Sequence, residues 1–157
     1  MWLRDPFPQF YKDVEIQIAC DFFHGNPSDI KNRPNTGFKY VRSNPQTIEF
    51  YKLWFNSSKV YPKLNDQDIF NKIKIHPLVS QSNFTIRFLD TAYFGGFCSI
   101  SKDFNKVCTM HANCCFGLNN KISDLRALLE DWKKYMDLNS DQKQQDHPTW
   151  SVPRDCK

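Results

Sequence analysis

The sequence predicts an α/β fold, because segments with the periodicity of strands alternate along the chain with segments of helical periodicity. Residues 14–20 alternate apolar and polar side chains, as a half-buried strand does. The pair Asn44-Pro45 is typical of a helix start. Five apolar residues near the carboxyl end recur at helical spacing, namely Leu125, Leu128, Leu129, Trp132 and Met136.

The first strand places Val14, Ile16 and Ile18 on one face and is predicted to end at Asp21. Ligands of open α/β sheets bind at the carboxyl ends of the strands, so Asp21 is a candidate binding residue. The alternative is that this carboxylate caps the loop that follows.

A polar run, Asn35-Thr36-Gly37, precedes a short strand predicted over residues 38–42. Glycine lets a ligand approach the backbone closely, and the amide and hydroxyl beside it suit the hydroxyls of a small polar ligand such as a sugar. An ordinary turn leading into a strand is the alternative interpretation of this run.

The helix that starts at Pro45 is predicted to reach about Phe55 and to present Ile48, Tyr51 and Phe55 on one face. A second helix is predicted to begin at Asn65 or Asp66. Residues 84–89 alternate again and predict a strand, and the Gly-Gly pair at 95–96 predicts a turn.

The last helix is predicted over residues 123–136, with Asn120 or Ser123 as its cap. The polar composition that follows predicts a linker, and Trp150, Val152, Pro153 and Cys156 form a small apolar anchor at the end. The predicted organisation is therefore a domain over 1–136 followed by a linker and anchor over 137–157.

Composition excludes some classes of function. The 157 residues carry a formal charge of +4, which is too mild and too evenly spread for a nucleic-acid-binding protein. The six cysteines fit no zinc spacing, and the adjacent pair Cys114-Cys115 is expected to bond to partners elsewhere. Together with the N-glycosylation sequons at Asn56 and Asn83, they favour a secretory compartment.

Five segments resemble, in their order and spacing, the plant nucleotide-diphospho-sugar transferase domain, a family that includes cell-wall arabinosyl- and xylosyltransferases. They are Trp2-Leu3-Arg4-Asp5-Pro6-Phe7, the strand ending Cys20-Asp21, Asn35-Thr36-Gly37, Asn65-Asp66-Gln67-Asp68 and His111-Ala112-Asn113-Cys114-Cys115. The resemblance implies a Rossmann-like GT-A fold and transfer of a sugar from a UDP-sugar, with retention of configuration. The implied acceptor is a cell-wall polysaccharide or a glycoprotein, and the implied location is the lumen of the Golgi apparatus.

The resemblance also implies roles for individual residues. Asp66 would bind hydroxyls of the donor sugar and Gln67 would face the anomeric carbon, while the helix-capping alternative applies to the same run. Asn35, Thr36 and Gly37 would contact the donor sugar. Asp21, from its place at the end of the strand, is predicted to bind the donor sugar or the acceptor. His111 would be a metal ligand and Lys121 would contact the diphosphate; a surface histidine and a solvated lysine are the alternatives.

The implied cofactor is Mn²⁺ or Mg²⁺, held in the family by an Asp-x-Asp motif just upstream of the Trp2-Leu3 segment. This chain starts at that segment, so we expect the GT-A fold to be incomplete at its amino end. We expect the metal carboxylates and a membrane anchor only in a missing amino-terminal part. A truncated, inactive homologue that binds a glycan or a protein remains an alternative, as does an unrelated secreted disulfide protein.

Overall fold

The chain forms two units, each with a hydrophobic core of its own. The central unit is Gln9–Asp90, and the terminal unit comprises Met1–Pro8 and Thr91–Lys157. The computed structural model describes residues 1–80, 83–145 and 148–156, so residues 146, 147 and 157 of the predicted linker and anchor lie outside it. No helix among these described residues has the length and apolar character needed to cross a membrane.

The sheet of the central unit has three strands. They are β1 (Ile16–Phe22), β2 (Arg33–Val41) and β3 (Ile86–Phe88), in the order β2-β1-β3. β1 runs antiparallel to β2 and parallel to β3. The predicted first strand is therefore the middle strand of this sheet, although it ends one residue beyond Asp21 rather than at it.

β2 corrects the prediction for its segment. Asn35, Thr36 and Gly37 lie within this strand, not in a loop before it, and the strand begins five residues earlier than the predicted residue 38. The turn-like composition of this run is accommodated by an irregularity of the strand pair, which is described with the site below.

Helix α1 (Pro45–Val60) starts where the sequence predicts. The side chain of Asn44 accepts a hydrogen bond from the backbone N–H of Thr47, and the Thr47 hydroxyl accepts one from the Asn44 N–H. This reciprocal capping box satisfies two backbone donors at the helix start.

The face of α1 that packs into the core differs from the face that the sequence prediction singled out. Phe50 and Trp54 are buried, whereas Ile48, Tyr51 and Phe55 are exposed. Both sets have helical spacing, so the spacing alone could not choose between them.

Two further helices complete the central unit, α2 (Asp66–Ile73) and the short α3 (Pro77–Ser80). Of the two predicted starts of α2, Asn65 is the cap and Asp66 is the first helical residue. The core lies between the sheet and these helices. It is built mainly from aromatic and branched side chains, among them Ile16, Ile18, Phe50, Trp54, Ile69, Phe70, Phe84 and Phe88.

The terminal unit contains a second, two-stranded parallel sheet of β4 (Phe94–Gly96) and β5 (Thr109–His111), followed by α4 (Leu118–Asp137) and α5 (Ser140–Gln145). The turn predicted at Gly95-Gly96 is wrong, because both glycines are strand residues. A Cβ on Gly96 would lie 2.3 Å from the Asn113 Oδ1, so glycine serves close packing here.

α4 begins earlier than predicted, after Gly117, and neither Asn120 nor Ser123 caps it. Leu128 and Trp132 are buried as the stripe predicts, but Tyr135 replaces the exposed Met136 in the core. The adjacent cysteines bond to different partners, as expected, in the disulfides Cys98–Cys114 and Cys115–Cys156.

Candidate functional site

The pairing of β1 with β2 is interrupted where the predicted site residues lie. Ile18 lies opposite Lys39, but Cys20, two residues further along β1, lies opposite Pro34. Residues 35–38 of β2 therefore lie opposite the single β1 residue between Ile18 and Cys20. Such β-bulges redirect side chains and are frequent beside functional sites.

Asp21 lies in a second irregularity of the same strand pair. Its neighbours Cys20 and Phe22 lie opposite Pro34 and Arg33, which are adjacent in the chain, so the register shifts by one residue at Asp21. The two bulges release both strands from regular pairing at the same level of the sheet. The polar side chains at this level interact with each other.

Asp21 joins β2 to α2. The Asn35 Nδ2 donates to the Asp21 Oδ1 at 2.7 Å, and the Gln67 Nε2 donates to the Asp21 Oδ2 at 2.7 Å. Since a carboxylate only accepts, these two bonds fix the orientation of both amides. The Asn35 oxygen in turn accepts a hydrogen bond from the Gly37 N–H at 2.9 Å.

A parallel link connects the next pair of residues. The Thr36 hydroxyl donates to the Asp66 Oδ2 at 2.6 Å, so the bulge of β2 holds the first residue of α2. Asp21, Asn35, Thr36, Asp66 and Gln67 form one set of side chains, which we call the polar cluster. The sequence predicted each of these five residues, and the structure brings them together.

The polar cluster has a buried base and an exposed rim. Asp21, Asn35 and Thr36 are each less than a tenth exposed, whereas Asp66 is exposed and Gln67 is half-buried. The buried groups are hydrogen-bonded, so they hold the rim groups in place. A rim of one carboxylate and one amide oxygen at the start of a helix can accept hydrogen bonds from ligand hydroxyls.

Asp68 takes no part in the polar cluster. Its side chain is exposed, and its backbone N–H donates to the Asn65 Oδ1 at 2.8 Å, which caps α2. A carboxylate in the first turn is favourable beside the positive end of the helix dipole. The helix cap in this run is therefore Asn65, whereas Asp66 and Gln67 belong to the polar cluster.

Sequence reasoning missed two residues that support the polar cluster. The Trp54 indole N–H donates to the Asp66 carbonyl at 3.0 Å, and the Lys39 Nζ donates to the Thr36 carbonyl at 2.9 Å. The Lys39 ammonium also lies 5.5 Å from the centre of the Trp54 ring. The position of Trp54 three residues after Tyr51 is the sequence signal that could have found it.

The far end of α2 is held by a buried lysine. The Lys74 Nζ donates to the Asn32 carbonyl at 2.8 Å and to the Asn71 Oδ1 at 2.9 Å, and Asn71 donates to the Gln67 carbonyl. Burial lowers the pKa of the Lys74 ammonium below its ordinary value. These bonds connect the backbone at Gln67 to the loop before β2.

His111 and Lys121 belong to the terminal unit, whereas the polar cluster belongs to the central unit. His111 ends β5 and is partly buried, and Lys121 lies in the first turn of α4, where its N–H donates to the Gly117 carbonyl. Gly117 has φ +86 and provides no side-chain cap. The predicted roles of His111 and Lys121 stay predictions.

The described residues do not by themselves fit a metal centre. Within residues 1–80, 83–145 and 148–156, no group of three or more His, Cys, Asp or Glu side chains could hold an ion.

The sequence model of the nucleotide-diphospho-sugar transferases matches residues 1–125. The chain belongs to the nucleotide-diphospho-sugar transferase family. Its mixed α/β units are consistent with such a transferase domain, and no solved structure matches the chain.

Two proteins of Arabidopsis thaliana, both described as uncharacterized, are similar to this member of the transferase family. One is 47% identical over 151 residues, which are 96% of this chain and 41% of that protein. The other is 34% identical over 135 residues, 86% of this chain and 40% of that protein. The chain thus spans about two fifths of the length of these relatives.

Membership of this family gives the polar cluster a chemical context. The family transfers a sugar from a nucleotide-sugar donor to an acceptor. The polar cluster offers the kinds of group that bind sugar hydroxyls, and it lies entirely within the matched residues.

Proposed function

We propose that the full-length protein is a retaining glycosyltransferase of the Rossmann-like GT-A type that uses a UDP-sugar. The observation that carries this proposal is the polar cluster, which presents the Asp66 carboxylate and the Gln67 amide at the first turn of α2. Their bonds to Thr36 and Asp21 hold both side chains in place before any ligand arrives. Such preorganised polar groups stabilise charge that develops in a transition state.

The reaction requires stabilisation of two opposite charges. The bond between the anomeric carbon and the diphosphate oxygen breaks, and the acceptor hydroxyl oxygen bonds to that carbon on the same face. The proton of the acceptor hydroxyl passes to the departing diphosphate. As the bond breaks, positive charge develops on the sugar, as in the oxocarbenium-like transition states of glycosidases.

In this proposal Asp66 binds hydroxyls of the donor sugar, and the Gln67 amide oxygen faces the anomeric carbon. Gln67 can do so because its NH₂ group is already committed to Asp21. Asn35, Thr36 and Asp21 keep the two groups oriented, and Gly37 leaves room beside the sugar ring. Lys121 is assigned to the diphosphate, where an ammonium stabilises the developing negative charge.

Mn²⁺ or Mg²⁺ enters the proposal only as a Lewis acid that neutralises the diphosphate when bound. We assign only His111 to this ion as a ligand. The described residues do not assemble a complete metal site. No step of the reaction is therefore assigned to the metal.

The proposed setting is the Golgi lumen, with a cell-wall polysaccharide or glycoprotein as acceptor. Two disulfides support an oxidising compartment, since such bonds are rare in reducing ones. The relatives from Arabidopsis thaliana support a plant glycan.

The test is Asp66→Asn in the full-length protein, with Asp68→Asn as a matched control. Both variants remove one carboxylate from the same helical turn, but Asp68 has no part in the polar cluster. We expect Asp66→Asn to lower sugar transfer and donor hydrolysis by about a hundredfold or more while the fold is retained. Asp68→Asn should keep both rates near the wild-type values.

Assays with a panel of UDP-sugars, and circular dichroism for the fold, provide the measurements. Equal activity of the Asp66→Asn and Asp68→Asn proteins would contradict the role of Asp66. If UDP with Mn²⁺ does not raise the melting temperature of the full-length protein, the transferase proposal fails. Donor binding without turnover in wild type would instead identify an inactive binding homologue.

A further inference from the structure

Two exposed aromatic side chains of α1, Tyr51 and Phe55, lie beside the polar cluster, on the same helix as the buried Trp54. Tyr51, Trp54 and Phe55 occupy positions i, i+3 and i+4 of α1, and Ser58 at i+7 continues the same face. Phe55 is 65% exposed and Tyr51 is 37% exposed. Large rings left this open to water are often part of an interaction site.

These side chains line a groove of about 350 Å³ that reaches the polar cluster. Lys39 of β2 and Asp66 of α2 line the same groove, and both also bond to Thr36. The groove therefore continues directly from the proposed donor site. Its volume lies within the roughly 300–1,000 Å³ that ligand pockets usually have.

The surface extends beyond this groove. Tyr51 and Phe55 also line a neighbouring groove of about 560 Å³, together with Val41 and Ile48. The two aromatic side chains thus border both grooves. A ligand of several linked units could cover both, whereas a single small molecule could fill only one.

The chemistry of the groove matches a sugar chain. The C–H face of a pyranose ring is apolar and packs on an aromatic ring, while its hydroxyls need donors and acceptors at the edge. Tyr51 and Phe55 offer the rings, and Asp66, Lys39 and Ser58 offer the polar edge. The Lys39 ammonium and the Asp66 carboxylate balance each other's charge in this groove. The groove therefore favours a neutral glycan over a strongly charged one.

Trp54 fixes the floor of this groove. Its indole N–H bonds to the Asp66 carbonyl, and its ring lies edge-on to Phe70 with ring centres 5.0 Å apart. Because these two contacts hold the Trp54 ring, its position relative to Asp66 is fixed. A sugar held on this floor would be placed beside the site where the donor sugar is proposed to react.

We propose that the groove lined by Tyr51, Trp54, Phe55, Lys39 and Asp66 binds the acceptor, a neutral oligosaccharide whose rings stack on Tyr51 and Phe55. The identification of this glycan as the acceptor rests on the proposed function. The binding of a glycan by the groove does not, and it is tested separately.

The experiment compares Tyr51→Ala and Phe55→Ala with Tyr61→Ala in the full-length protein. Tyr61 is a matched control because it is also an exposed tyrosine, at 41%, and lies just after α1 without lining either groove. Wild type is first applied to an array of neutral plant cell-wall oligosaccharides. The oligosaccharide that binds most tightly is then titrated into each protein by calorimetry.

We expect Tyr51→Ala and Phe55→Ala each to raise the dissociation constant of that oligosaccharide by about tenfold or more. Tyr61→Ala should leave it unchanged, and UDP should bind all four proteins equally. Absence of oligosaccharide binding by wild type, or equal binding by all the variants, would overturn the proposal. So would a dimer in sedimentation that Phe55→Ala dissociates, because the surface would then bind a second copy.

The outcomes separate this proposal from the proposed function. Loss of glycan binding in Tyr51→Ala without any UDP-sugar turnover in wild type would confirm the groove and contradict the transferase. Turnover of donor that depends on Asp66, together with acceptor kinetics unaffected by Tyr51→Ala, would support the transferase and overturn the groove.

Discussion

Asp124 is a single residue on which the end of the chain depends. Its carboxylate is 1% exposed and accepts hydrogen bonds from the backbone N–H groups of Arg154, Asp155 and Cys156. Burial alone raises the pKa of the Asp124 carboxyl, but these donors and the Arg154 charge lower it further than burial raises it. Nothing in the helical pattern of α4 singled out this residue.

We predict that Asp124→Asn destabilises the protein by roughly 1–3 kcal/mol at about pH 7, because backbone donors lose their charged acceptor. Since the folded pKa of Asp124 is lowered, its stabilising contribution is complete above the ordinary Asp pKa of about 3.9 and is lost as the pH falls through the folded value. The difference from wild type should therefore shrink toward about pH 2. Denaturant unfolding across this pH range measures it.

Asp137→Asn is the control, since Asp137 lies on the same helix and is exposed. It should change the free energy of unfolding by less than about 0.5 kcal/mol. A difference between wild type and Asp124→Asn that stays constant over the whole pH range would contradict the assigned role of the charge.

The residues of the polar cluster could be predicted from sequence, but their connections could not. Asp66 and Gln67 were identified from the local run at a helix start and from the family resemblance. The bond between Gln67 and Asp21 joins residues 46 positions apart. It depends on two bulges that only the pairing of β1 with β2 reveals.

Elements whose signals are local were predicted well. The starts of α1 and α2 follow from Asn44 and Asn65, because each cap bonds within three residues of itself. The choice of the buried face of α1 is not local. It depends on Phe50 and Trp54 packing against Phe70 of α2, which the spacing of α1 alone does not contain.

Strand β4 shows that the local sequence is also an insufficient guide to the role of a glycine. Gly95-Gly96 has the composition of a turn, yet in the structure the pair lies in a strand where other chain segments approach closely. A Cβ at Gly95 would lie 2.6 Å from the Met110 Sδ, on the neighbouring strand β5. Tertiary contact, and not backbone conformation, therefore explains these two glycines.

We predict that Gly96→Ala destabilises the terminal unit by roughly 1–3 kcal/mol, because the new methyl group would overlap the Asn113 side chain. Displacing Asn113 would also break its bond from the Cys98 N–H, which is 3.1 Å long. Thermal and denaturant unfolding of the single variants and of the Gly96→Ala, Asn113→Ala double variant measure the effect.

The double variant is the decisive comparison. If the overlap with Asn113 causes the loss, Gly96→Ala should cost clearly less in the Asn113→Ala background than in wild type. The same cost in both backgrounds would show that the contact with Asn113 is not the cause.

At the scale of the whole molecule, the two units differ in the state of their cysteines. Both disulfides lie in the terminal unit, and among the described cysteines only Cys20 lies in the central unit. Burial and the nearby Asp21 charge raise the pKa of the Cys20 thiol to about 12, so this thiol stays protonated and unreactive. The central unit thus has no redox-sensitive bond among its described residues.

We therefore predict that dithiothreitol loosens the terminal unit and leaves the central unit unchanged. Each disulfide contributes about 2–4 kcal/mol by restricting the unfolded chain, and Cys115–Cys156 encloses the longer loop, with a separation of 41 residues. Hydrogen exchange followed by mass spectrometry should show faster exchange in α4 and β5 after reduction, with β1 and α1 still protected.

The Cys115→Ala, Cys156→Ala double variant should reproduce part of this change without reductant. Equal loss of protection in β1 would mean that the two units unfold together, and that the polar cluster depends on the oxidised state of the terminal unit.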